Sequence, residues 1–134
     1  MRINSSVNKL TRRQRLQIIK FALQYCMDVF GYNSRKKRGL SIVITDEENT
    51  INFGEYRPCI NEIRVYYKNT KDICKFIETF VHEYTHSLQP CRTKYMSLLE
   101  EYGYNNHPFE IEARRVASEH KKIIWKKFLK SKKK

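Results

Sequence analysis

The chain has 134 residues, 40% of them hydrophobic, and a net charge of +13. That supports one hydrophobic core and not two. No apolar run is long enough to span a bilayer, and the opening "MRINSSVNKLTRRQRLQ" lacks the apolar stretch of a secretory signal, so a cytoplasmic location is expected.

The charge is uneven. Residues 1–38 carry ten Lys/Arg against Asp28 alone, and residues 113–134 carry ten against Glu119 alone, while 39–112 carry seven Lys/Arg and twelve Asp/Glu. Two basic arms flank a mildly acidic centre. Such arms are either solvated surface or a contact for nucleic acid or another polyanion. The cysteines, Cys26, Cys59, Cys74 and Cys91, form no CxxC pair. They read as reduced thiols rather than a disulfide framework or a cysteine zinc site.

In chain order, residues 11–31 read as a helix. Thr11 is placed to cap it, Leu16, Ile18, Ile19, Leu23, Cys26, Met27 and Phe30 recur at helical spacing, and Gly31 suits the C-cap. "NSRKKRG" follows as a basic, mobile loop. "GLSIVIT", 39–45, reads as a buried strand and "DEEN" as a turn. "TINFGEYR", 50–57, reads as an edge strand with a glycine inside it, and "INEIRVYYK", 60–68, as a further alternating strand. Residues 72–89 are helical, with Asp72 at the start and Pro90 closing the end. Residues 94–104 form a short helix or an ordered, tyrosine-rich loop. Pro108 opens a long helix to about Leu129, on which Val116, Ala117, His120, Ile123, Ile124 and Phe128 mark the buried face. The expected fold is a single α+β domain over 1–129: an N-terminal helix, a small three-stranded mixed sheet with an edge strand, and two further principal helices. Residues 130–134 are expected to form a disordered basic tail.

The helix over 72–89 carries "FVHEYTHSLQ", which contains HExxH at His82, Glu83 and His86. Residues four apart share a helix face, so the two imidazoles can address one metal ion. Glu83, one residue round, can reach a water at the open coordination position. Ile73, Phe76, Ile77, Phe80, Val81, Tyr84 and Leu88 fall on one side of this helix and the histidines on the other. The histidines therefore belong to a second, polar face. A catalytic zinc needs a third protein ligand. A histidine at the metzincin spacing would fall at Arg92, which excludes that class. His107, Glu110 and Glu112 remain as candidates. His107 would act as the downstream histidine does in SprT-like proteases. Glu110 also suits a plain N3 capping position after Pro108.

"HEYTH" followed by "HPFEIEARRVA" resembles the short gluzincin metallopeptidases, including minimal single-domain forms and those found in phage genomes. The resemblance covers roughly 40–113. It implies a zinc peptidase with His82, His86 and Glu110 as ligands, Glu83 as general base, and Ala113 allowing close helix packing. It also implies a peptide substrate lying antiparallel along the edge strand, near Asn52 and Gly54. Virion association would follow if a phage encodes the chain. One departure stands out: Arg114 occupies the place where many gluzincins carry Asp or Asn to orient a histidine, and arginine cannot accept an imidazole N–H. Arg114 is expected to pair with Glu110, Glu112 or a substrate carbonyl instead. Tyr102, Tyr104, His107 and Arg114 are candidate oxyanion donors, with Tyr104 and Arg114 preferred. The alternative function is a nucleic-acid-associated or virion assembly protein that keeps the fold without turnover. The final helix either completes the core or covers the cleft in a latent form.

Overall fold

The computed structural model describes residues 2–33, 39–48, 51–90 and 92–133. The expected mobile loop lies, at 34–38, outside the described residues, as does Cys91. After a 3-10 turn at Val7–Lys9 the order is α1 (Arg12–Phe30), β1 (Ser41–Thr45), β2 (Gly54–Arg57), β3 (Glu62–Tyr66), α2 (Tyr67–Thr70), α3 (Ile73–Leu88), α4 (Arg92–Tyr102) and α5 (Pro108–Lys132). The fold is α+β with a small mixed sheet, as expected. β3 is central, parallel to β1 and antiparallel to β2, so β2 forms an edge.

Local chemistry sets the element ends. Thr11 and Gln14 form a reciprocal capping box on α1, and Gly31 closes it at φ 80°, a conformation that favours glycine. Asp72 caps α3 through the Lys75 N–H at 2.8 Å. The next free donors of α3, the N–H groups of Ile73 and Cys74, go to the carbonyls of Ser5 and Ile3. The N-terminal segment thus satisfies a helix end that would otherwise be buried without partners. α5 begins with His107 as its N-cap and Pro108 at N1.

α3 lies at the centre of the molecule, touching α1 and α5 on one side and β2 and β3 on the other. Its apolar residues Phe76, Ile77, Phe80 and Val81 are fully buried, together with Ile18, Ile19, Ile63, Val65 and Ile124. Three expectations need correction. α5 continues to Lys132, so residues 130–132 are helical rather than a disordered tail. Ile123 is 41% exposed while Trp125 is buried, because α5 turns its 117–124–128 stripe and the neighbouring Trp125 towards the core. The strands are shorter and less enclosed than expected: the edge strand read over 50–57 is Gly54–Arg57, the strand read over 60–68 is Glu62–Tyr66 before the chain turns into the single helical turn of α2, and β1, read as buried, is only partly so. α5 packs on α3 and α1 and completes the core; its buried residues Ala117, Ile124 and Phe128 are core residues.

Candidate metal centre

β2 crosses α3 at very close range. A Cβ added to Gly54 would lie 2.7 Å from Thr79 Cγ2, 2.9 Å from the Arg64 carbonyl oxygen and 3.5 Å from Glu83 Cγ. Only glycine lets the edge strand approach α3 this closely. Gly54 faces Val65, and the adjacent Tyr66 N–H donates to the Phe53 carbonyl. By antiparallel alternation, Gly54–Val65 is a non-hydrogen-bonded pair, so the N–H and C=O of Gly54 point away from β3. Between β2, α3, α4 and the start of α5 runs a groove of about 1070 Å³, which includes Asn52, Gly54, His82, Glu83, His86, Tyr104 and Glu110 among its walls.

On the groove floor three side chains converge. Glu110 Oε1 lies 3.0 Å from His82 Nε2 and 3.0 Å from His86 Nε2, and the two nitrogens are 3.2 Å apart. His82, His86 and Glu110 form a group able to hold a metal ion. The spacing fits: ligand atoms around a tetrahedral zinc with bonds of about 2.0–2.1 Å are roughly 3.3 Å apart. The side chains come from different elements. α3 provides the imidazoles one turn apart, and the first turn of α5 provides the carboxylate, brought close because Ala113 and Ala117 are fully buried where α5 packs. Glu110 does not act as a simple N3 cap; His107 performs that task.

The trio is held by supporting residues. Tyr95 on α4 donates its hydroxyl to Glu110 Oε2 at 2.5 Å, leaving Oε1 to face the histidines. Burial would raise the Glu110 pKa, but hydrogen bonds with His82, His86 and Tyr95 outweigh it and hold the carboxyl well below the usual range. Burial, reinforced by the bond to Glu110, pushes the Tyr95 phenol well above its ordinary value, so it remains a donor. Gln89, at the C-cap of α3, donates through Nε2 to the Phe109 carbonyl at 2.9 Å and to Glu112 Oε1 at 3.0 Å. Its Oε1 therefore faces His86 Nδ1, at 2.6 Å. That nitrogen carries a proton, so the neutral ring would present its Nε2 lone pair to a metal ion in place of the hydrogen bond it makes to Glu110. Gln89 performs the orienting role for which Arg114 is unsuited.

The remaining sequence candidates fall elsewhere. His107 is fully buried, accepts from the Phe109 N–H through Nδ1 at 3.0 Å and donates from Nε2 to the Tyr95 carbonyl at 2.9 Å. Both nitrogens are committed, so His107 is not a ligand or oxyanion donor. It stacks on Tyr95 with ring centroids 4.1 Å apart and fixes that ring. Glu112 supports Gln89 and stays outside the trio. Arg114 pairs with neither Glu110 nor Glu112; its Nη2 donates to the Asn105 carbonyl at 2.8 Å, tying down the loop before α5. It does not line the groove, whereas Tyr104 does. Tyr102 does not line it either. Tyr104 keeps its proton: although it is 56% exposed, partial desolvation on the groove wall and then the nearby carboxylates Glu110 and Glu83 raise its pKa.

Glu83 sits beside the trio, 9% exposed. Burial raises its pKa against the opposing pull of His82 and His86, with Glu110 and Glu55 adding to the rise. Tyr95 and Gln89 escaped the sequence reading. The only sequence signal for them was the tyrosine-rich stretch and a glutamine three residues after His86.

No protein-family model, no curated protein and no solved structure matches this chain. Among the described residues, no helix is long and apolar enough to cross a membrane.

Proposed function

We propose that this protein is a zinc-dependent peptidase of gluzincin type. The reading rests on one observation above all: His82, His86 and Glu110 converge on a groove floor with the buried carboxylate of Glu83 beside them. Two neutral imidazoles and one carboxylate suit zinc better than calcium or magnesium, which prefer all-oxygen shells. Three protein ligands leave a position open, as catalytic rather than structural sites do. When bound, zinc supplies Lewis acidity and lowers the pKa of water.

The chain's own groups supply the rest. Glu83, on the groove wall beside His82 and His86, has the position to take the proton of the attacking water and return it to the leaving amine. Tyr104, protonated and on the groove wall, is the donor for negative charge developing on the scissile carbonyl oxygen. Gly54 offers its backbone N–H and C=O to an extended peptide pairing along β2. Tyr56, Ile60, Met96 and Phe109 on the walls favour apolar side chains flanking the scissile bond.

The test compares wild type with Glu83→Gln. The variant should keep its zinc and lose peptide cleavage by about 10²–10⁴-fold, the usual contribution of a general base. Unchanged cleavage by Glu83→Gln removes Glu83 from the mechanism. Stoichiometric zinc with no cleavage of a peptide library by wild type supports a non-turnover role instead.

A further inference from the structure

The basic arms lie about a hundred residues apart in sequence, yet the fold sets a part of each side by side. α1 and α5 run antiparallel: Lys132 Nζ donates to Gln17 Oε1 at 3.2 Å, the Phe21 and Phe128 rings meet edge-on at 5.6 Å, and Tyr25 bonds His120 Nδ1 at 2.7 Å. The first half of α1 is thus beside the last half of α5. Residues 12–27 and 120–133 contain no Asp or Glu. Arg12, Arg13 and Lys20 of α1, Lys126 and Lys130 of α5 and Lys133 just after it are exposed, and none takes part in a salt bridge among the described residues. Arg15 and Lys121 are otherwise engaged, with the Leu10 carbonyl and with Glu78. This end lies about 30 Å along α5 from Glu110, at 1.5 Å per residue. The groove end instead gathers Glu55, Glu83 and Glu110.

We propose that the paired α1–α5 face binds the phosphate backbone of a nucleic acid and holds the groove away from it. Two parallel rods of cations suit a linear polyanion, with affinity arising from counterion release and no need for base contacts. A membrane surface fits less well: basic helices dock on lipid by burying an apolar face, and those of α1 and α5 are used in the core by Ile18, Ile19, Ala22, Ile124 and Phe128.

The test is fluorescence anisotropy of the full chain with labelled duplex DNA, duplex RNA and a single strand, titrated with salt. Affinity for at least one should fall about a thousandfold between roughly 50 and 200 mM salt, as for about six phosphate contacts. Lys126→Glu/Lys130→Glu/Lys133→Glu should weaken binding at least tenfold and reduce the log–log salt slope by about 3, at ~0.9 per phosphate. Its melting temperature and zinc content should match wild type, because the substituted side chains are exposed and far from Glu110. A slope below about 2, an unaffected charge-reversed variant, or binding to phosphatidylserine vesicles with none to nucleic acid overturns the proposal.

Discussion

Gln89 is a small residue choice with a specific consequence. A carboxylate or amide oxygen is needed at His86 Nδ1 to fix the tautomer, and Gln89 is itself held in one orientation by the Phe109 carbonyl and Glu112. Gln89→Leu should therefore weaken zinc binding about 10–100-fold, the usual cost of losing an outer partner of a ligand, while Gln89→Glu, which keeps the acceptor but sets a carboxylate against Glu112 and the Phe109 carbonyl, should recover only part of it. Competition titration with a chromophoric chelator measures both. The thiols give a second check at this scale. Burial pushes the Cys26 thiol up to about 12, and Cys26 is fully buried while Cys59 is exposed. At about pH 8 iodoacetamide should label Cys59 and spare Cys26 in the folded protein, as peptide mapping would show; early labelling of Cys26 would mean that α1 does not pack as described.

The groove depends on how closely elements pack. Gly54→Ala forces β2 off α3, because one of the atoms in the way is the Arg64 backbone carbonyl, which cannot swing aside. The substitution should cost about 1–3 kcal/mol in denaturant unfolding. Thr79→Ser, which removes the Cγ2 contact, should restore only part of that. On the other side, Glu78 of α3 accepts from Lys121 of α5 at 2.5 Å and from Lys75 at 2.9 Å. Burial would raise its pKa, but the two lysines outweigh burial and hold it below the ordinary glutamate value. A depressed carboxylate stabilises the fold above its unfolded pKa, and that contribution is lost as pH falls through the folded value. Lys121→Ala should therefore lose less stability than wild type between pH 7 and about pH 3, measured by urea unfolding at each pH. At this scale the sequence was a good guide where the code is local: the Thr11 and Asp72 caps, the presence and order of three strands though not their ends, and the HExxH helix. It was silent where partners come from distant segments. Nothing in the stretch around Tyr95 indicates that its hydroxyl meets Glu110, and nothing around Arg114 indicates that Asn105 would take its guanidinium. Ile123 and Trp125, two residues apart, exchanged places because periodicity alone does not fix how α5 is turned against α3.

Taken whole, the molecule is polar from end to end. Carboxylates and imidazoles gather in the groove, and exposed cations of α1 lie beside those at the far end of α5. The α3–α5 packing joins these features, since it both seats Glu110 under the histidines and sets α5 beside α1. Of the three third-ligand candidates left open by the sequence, the geometry brings only Glu110 to the histidines and commits His107 to holding Tyr95. The central claim is therefore the ligand set, and the zinc dissociation constants of wild type, Glu110→Ala and Glu83→Gln test it most directly. The account predicts that Glu110→Ala weakens zinc by more than the ~100-fold ceiling expected for an outer partner, while Glu83→Gln binds zinc as wild type does. Wild-type zinc affinity in Glu110→Ala would contradict it.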